Sequence, residues 1–329
     1  MSQQISLTKD EMEARIVRYG ELVPCRTAFI DAHTPGSDKK ENFTIIGGGV
    51  SEAADQHVHI TETPGFNIGA AGQPPFCRNS LHTHRTAEVF FVLSGTWRFF
   101  WGRHGDAGEV TLTSGDIINI PTGIFRGFEN IGTDYGMIMA ILGGDDAGGG
   151  VLWAPEVIID ARDHGLILGE NGSLYDTKKG QALPDNIAPM PLMDDAALAR
   201  IKEPSVQEFI PHYVARYLDL MAYAKQGPVD VISPDGLLRD KPGFAIDFIA
   251  RGSLGDEMYQ IDAHEIIMVA KGHWTLAYEG GSTVLATGDV AAIPPNLPHR
   301  LVPSMSGEAA LYRVTSNDDP AGPTWTEGP

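Results

Sequence analysis

Cysteine is nearly absent: Cys25 and Cys77 are the only two in 329 residues. No disulfide framework can be built from them, and no Cys-x-x-Cys pattern occurs, so a reducing, cytoplasmic setting is expected. Long apolar runs are missing too. No stretch reaches the roughly 18 residues a membrane span requires, and Met1-Ser2-Gln3-Gln4-Ile5 lacks the charged start and apolar run of a signal peptide. Positive charge is scarce, with 24 Lys and Arg against 43 Asp and Glu and a formal net charge of -19. Such a surface repels phosphate backbones and anionic lipid, which excludes nucleic acid and membrane as expected partners and serves solubility. Neither a Gly-rich phosphate loop nor a Ser-His-Asp signature is present.

Turn formers are plentiful, with 38 glycines and 22 prolines. Frequent short turns favour an all-β architecture, and 42% hydrophobic residues supply a core for each of two domains. Residues 1–41 read as an N-terminal arm, in which Thr8 and Glu11 have capping-box spacing ahead of a short helix. Short strands separated by Gly and Pro follow over 42–151. Residues 152–228 read as a partly helical connector. A helix is expected over Pro155–Asp163, a short one runs from an Asp194 cap towards Ile201, and Val214, Tyr217, Leu218 and Met221 recur at helical spacing. The short-strand pattern returns over 229–316, before a Pro- and Gly-rich tail at 317–329.

The second β region repeats the first. Pro64-Gly65-Phe66 is echoed by Pro242-Gly243-Phe244, the run Glu88–Gly95 by Glu265–Gly272, and Gly115–Pro121 by Gly288–Pro294. Three echoes in one order indicate duplication of a β domain.

The sharpest chemistry lies in His82-Thr83-His84-Arg85-Thr86-Ala87-Glu88. In a regularly paired strand, alternate side chains share a face, so His82, His84, Thr86 and Glu88 are expected on one side. Two imidazoles and a carboxylate together bind a divalent metal and leave coordination positions open. Fe(II) suits that set best, and Mn, Zn, Ni and Co also accept it. On the Glu88 side of the following strand, Phe90 and Val92 point inward and make the cavity apolar.

These motifs resemble those of the cupin superfamily. His82, His84, Glu88 and Gly95 keep the spacing of its first motif, although Phe76 stands where an upstream Gly is usual. Gly115, Pro121, Gly123 and Asn130 keep the second, with Arg126 at its histidine position. The second half keeps the outline: Glu265 and Gly272 remain while Tyr259 and Ile261 replace the two histidines, and Gly288, Pro294 and His299 remain with Asn296 for Gly. The resemblance implies two jelly-roll barrels of the double-stranded β-helix kind, joined by the connector, with one metal site in the first barrel and a degenerate one in the second. In layout the chain is similar to bicupins of the gentisate and quercetin dioxygenase groups.

Arg126 cannot ligate a metal. Either it faces the cavity and clamps a substrate's anionic end, or it turns outward or pairs with Glu88 or another acid. His57 and His59 read as a polar strand face. The expected function is a metal-dependent dioxygenase using Fe(II) on a small organic acid or phenol. The alternatives are a redox-neutral lyase, decarboxylase or isomerase, and a non-catalytic small-ligand binder. A homodimer is expected, because the apolar strand face around Phe91 and Leu93 needs cover.

Overall fold

The computed structural model describes residues 5–53, 55–144, 150–239, 243–255, 257–304 and 306–316. Pro242 of the first echo and the tail at 317–329 lie outside them. The structure is predominantly β, in two barrels. The first is formed by two facing sheets. One has seven strands in the order Val214–Ala215, Ile117–Ile120, Glu88–Ser94, Gly136–Gly143, Phe66–Gln73, Glu41–Ile46 and Val58–Ile60. The other has five, in the order Leu152–Trp153, Arg78–Thr83, Arg126–Asn130, Thr96–Trp101 and Gly108–Thr113.

Alternation along Glu88–Ser94 sets its two faces. Phe90 and Val92 pack inward with Trp97, Phe99 and Phe128. Phe91 and Leu93 point out, into a cluster shared with Phe244, Met268 and Tyr312 of the second barrel. The Phe66 and Phe244 rings lie 5.3 Å apart and those of Phe91 and Tyr312 4.7 Å apart. The face read as a dimer surface is therefore covered within the chain, and a homodimer would have to form elsewhere.

The second barrel pairs a six-stranded sheet, from Ile16–Val17 through Val290–Ile293, Glu265–Lys271, Ala310–Ser316 and Phe244–Ala250 to Val229–Ile232, with a three-stranded one. Its edge strand comes from the N-terminal arm: Ile16 pairs with Ala291 and Val17 with Val290. Conversely, Val214 and Ala215 of the connector pair with Ile118 and Ile117 of the first barrel. Each barrel thus receives the segment that precedes the other.

The two segments are built alike. Helix α1 (Lys9–Glu13) has the expected capping box on Thr8 and Glu11. In the connector, α2 spans Pro155–Asp163 and α3 Asp195–Leu198, the latter capped by Asp194. Helix α4 (Val206–Tyr213) carries a second capping box, on Ser205 and Glu208, which the spacing analysis passed over; Pro211 inside it hides the periodicity. Helix α5 is Tyr217–Tyr223, so Val214 belongs to a strand and not to that helix. Arg18 donates to Asp289 and the Tyr19 N–H to the same carboxylate, while Arg216 and the Tyr217 N–H do the same to Asp116. The motif glycines make room for these tyrosines. At φ +91° and +90°, a Cβ on Gly115 would lie 2.3 Å from the Tyr217 ring and one on Gly288 2.6 Å from the Tyr19 ring. Both cysteines are free. Among the described residues, no helix is long and apolar enough to cross a membrane.

Candidate metal centre

His82 lies near the end of Arg78–Thr83, the second strand of the five-stranded sheet, and Glu88 opens Glu88–Ser94 in the seven-stranded sheet. His84 follows the first strand's end. The run from His82 to Glu88 is thus not one extended strand: it crosses from one sheet to the other, and simple alternation does not place its side chains. The three groups meet because the two sheets face each other. His82, His84 and Glu88 each offer a ligand atom within 4.8 Å of the others, and all three are buried. Among the described residues this is the only cluster of three or more metal-binding side chains.

The imidazoles are set up as neutral donors. His82 Nδ1 lies 2.7 Å from the Ser80 carbonyl and His84 Nδ1 2.8 Å from the Gly150 carbonyl. A carbonyl only accepts, so both Nδ1 atoms carry the proton and both Nε2 atoms present lone pairs. Burial, followed by the Arg126 charge, holds both rings well below the usual histidine range. His82 also rests against Trp153, ring centroids 5.2 Å apart.

Arg126, read as a substrate clamp, is 2% exposed and directly opposite His82 in the sheet register. Its Nη1 donates to the His82 carbonyl at 3.1 Å and its Nη2 to Glu88 Oε2. The guanidinium lies behind the carboxylate, outside the residues that line the cavity. Of the arrangements open to Arg126, the structure adopts the pairing with Glu88. Burial pushes the Glu88 carboxyl up, and the adjacent guanidinium opposes that shift. His84 Nε2 lies 3.6 Å from the same Oε2.

The cavity holds about 70 Å³. Phe90, Phe128, Ala140 and Leu142 form its apolar side, and Asn42, Asn67, Asn79 and Ser51 bring polar groups to it. Asn42, Ser51 and Asn67 come from strands and loops that carry no motif, Asn79 stands just before His82 on its strand, and the sequence analysis missed all four. It also missed a buried relay behind His82. Lys40 pairs with Asp31, Asp31 Oδ2 accepts from the Ser80 N–H at 3.1 Å, and the Ser80 carbonyl accepts from His82. Asp31 and Lys40 are about as buried as charges can be, at 0% and 1% exposed. Far upstream in the arm, they offer no spacing signal.

His57 and His59 stay away from the cavity; their rings contact each other at 4.5 Å, and His59 Nε2 accepts from the Val23 N–H. In the second barrel, Glu265 and His299 are buried, with Nε2 and Oε2 3.4 Å apart. Tyr259 donates to Glu265 at 2.7 Å. Burial raises the Glu265 pKa, but His299, Arg313 and Tyr259 outweigh it and hold the carboxyl below its usual range. Each barrel therefore faces its motif glutamate with a basic residue from the second motif, Arg126 in one and His299 in the other.

Residues 73–142 match the family model described as Cupin domain, and residues 257–317 match the AraC-like ligand binding domain. No curated protein matches the chain. Among solved structures, the formate complex of Lactobacillus farciminis oxalate decarboxylase is similar at 12% identity and a TM-score of 0.53, covering 92% of this chain and 86% of that one. A variant of Bacillus subtilis oxalate decarboxylase is similar at 12% identity and 0.54, covering 95% and 78%. Likeness at that identity is likeness of fold. In fold the chain is a bicupin: two cupin domains in succession, arranged as in the oxalate decarboxylases.

Proposed function

We propose that the first barrel is a divalent-metal enzyme site for a small organic acid or phenol, with His82, His84 and Glu88 as ligands. The observation that carries this reading is the meeting of two neutral Nε2 atoms and a carboxylate at the wall of a cavity with one apolar side. The donor set fits a divalent cation: both imidazoles are in the ligating tautomer and held by carbonyls from behind. A metal there would supply Lewis acidity and, as Fe(II), a means of engaging O2. The chain's own contribution is geometric and electrostatic. Ser80 and Gly150 fix the rings, Phe90, Phe128 and Leu142 give the cavity an apolar side, and Arg126 holds Glu88 from behind.

Dioxygenation by Fe(II) follows from the two-histidine, one-carboxylate set. A redox-neutral decarboxylase, lyase or isomerase is favoured by a different observation, the cavity volume. About 70 Å³ suits a ligand of a few heavy atoms better than a substituted aromatic ring. The Bacillus subtilis oxalate decarboxylase, which shares the fold, has Mn(II) centres.

Metal content of the chain equilibrated with Fe(II) or Mn(II), with and without a small carboxylate, tests the shared core of both readings. One divalent ion per chain is expected, lost in His82→Ala. Oxygen uptake with small hydroxy and aromatic acids, run beside anaerobic turnover of the Mn(II)-loaded protein, separates the two chemistries. A preparation that stays empty in the presence of Fe(II) and Mn(II), with a small carboxylate as well as without one, sinks the enzyme reading and leaves a small-ligand binder.

A further inference from the structure

The charges around the cavity already cancel. Glu88 is bridged to Arg126, and Lys40 to Asp31. His82 and His84 each turn Nδ1 to a backbone carbonyl and leave Nε2 with its lone pair. Glu52, behind Trp153, is held protonated at neutral pH by burial, which pushes its carboxyl up to about 8. The remaining polar groups in the wall are amides and hydroxyls. No surplus negative charge awaits a cation.

That balance differs from a site in which the Arg126 position holds a neutral histidine. There the glutamate's charge would be free to offset the metal. Here Arg126 has neutralised it, and through Oε2, the carboxylate oxygen nearest His84 Nε2. A divalent ion entering alone would leave two uncompensated positive charges in a buried pocket. Isolated charge in such surroundings is strongly disfavoured unless paired. An anion arriving with the ion removes most of that penalty.

Resting on the metal reading above, we infer that a divalent cation and a small carboxylate enter this cavity as a coupled pair, each binding weakly without the other, and that Arg126 is the residue that enforces the coupling. Arg126 is on this account a positioning and charge-setting residue rather than a contact for the substrate. By linkage, whatever factor the carboxylate adds to metal affinity the metal adds to carboxylate affinity. The substrate class that follows is a short mono- or dicarboxylate.

The experiment is calorimetric titration of the full chain with Mn(II), with and without saturating acetate, a carboxylate small enough for the cavity and a weak chelator in solution. Acetate is expected to tighten Mn(II) binding to the wild type at least tenfold, and Mn(II) to tighten acetate binding by the same factor. Arg126→Gln is expected to bind Mn(II) at least tenfold more tightly than wild type without acetate, and to show a smaller acetate effect. If melting shows that Arg126→Gln does not fold, Arg126→His replaces it, and the wild-type acetate arm decides by itself. Tight, acetate-independent Mn(II) binding by the wild type overturns the coupling while leaving the metal reading intact. Absence of Mn(II) binding in wild type and variant, with or without acetate, overturns both.

Discussion

Phe76 and Asn296 are the only non-glycine residues with positive φ among the described residues, at 61° and 64°. Both stand where the cupin motifs usually place glycine. Read from the sequence, the two residues are losses from the motifs; in the structure the backbone keeps the left-handed turn and the side chain bears the strain. An L-residue there is disfavoured by about 1–2 kcal/mol. Phe76 is 72% exposed and has little packing to lose. Phe76→Gly is therefore expected to stabilise the chain by about 1 kcal/mol, read from the urea midpoint.

Glu52 gives a prediction of opposite kind. Its carboxyl accepts from Ile30 N–H and Trp153 Nε1, yet burial dominates and raises its pKa to about 8. A folded-state pKa above the unfolded value means that the stability present at low pH is lost as pH rises from about 4.5 through about 8. Glu52→Gln removes that loss. Its stability relative to wild type should grow between pH 5 and pH 8.5, and equal urea midpoint differences at both ends would contradict the assignment. The candidate ligands His82, His84 and Glu88 were legible because they sit at short, regular spacing. Asp31, Lys40 and Glu52 were not, because each meets its partners only through tertiary packing.

At the scale of elements, strand content, the duplication and α2 could be read from turn spacing and local periodicity. The register between distant segments could not. Nothing local in Ile16-Val17 says that it pairs with Val290 and Ala291. The matching build of the two segments, a capping box followed by an Arg-Tyr pair on an aspartate, is visible in the sequence only once their docking is known. The docking has energetic content. Met12 in α1 is fully buried in the second barrel's cluster with Trp274, Leu276 and Leu297. Met12→Ala is expected to cost about 2–5 kcal/mol. The loss of amide exchange protection should appear in Val290–Ile293, at the far end of the sequence, and not in Glu88–Ser94; the reverse pattern would mean that α1 supports the first barrel instead.

On the scale of the whole molecule, the two barrels share one continuous apolar cluster running from Phe43 and Phe91 to Phe248 and Tyr312. Tyr312 also donates across it to the Gly115 carbonyl at 2.7 Å. The barrel with the His82, His84 and Glu88 cluster is thus buttressed by the barrel without one, which gives the second half a role as a folded support. The exchanged segments bind the halves further. Translation delivers α1 long before Val290–Ile293, the strand beside which its segment docks. The first barrel is synthesised early but must wait for Val214–Ala215 to close its edge. The first barrel therefore cannot close before the connector has followed it, and the cavity that would hold the cation matures only after a segment far downstream of its own ligands has been made.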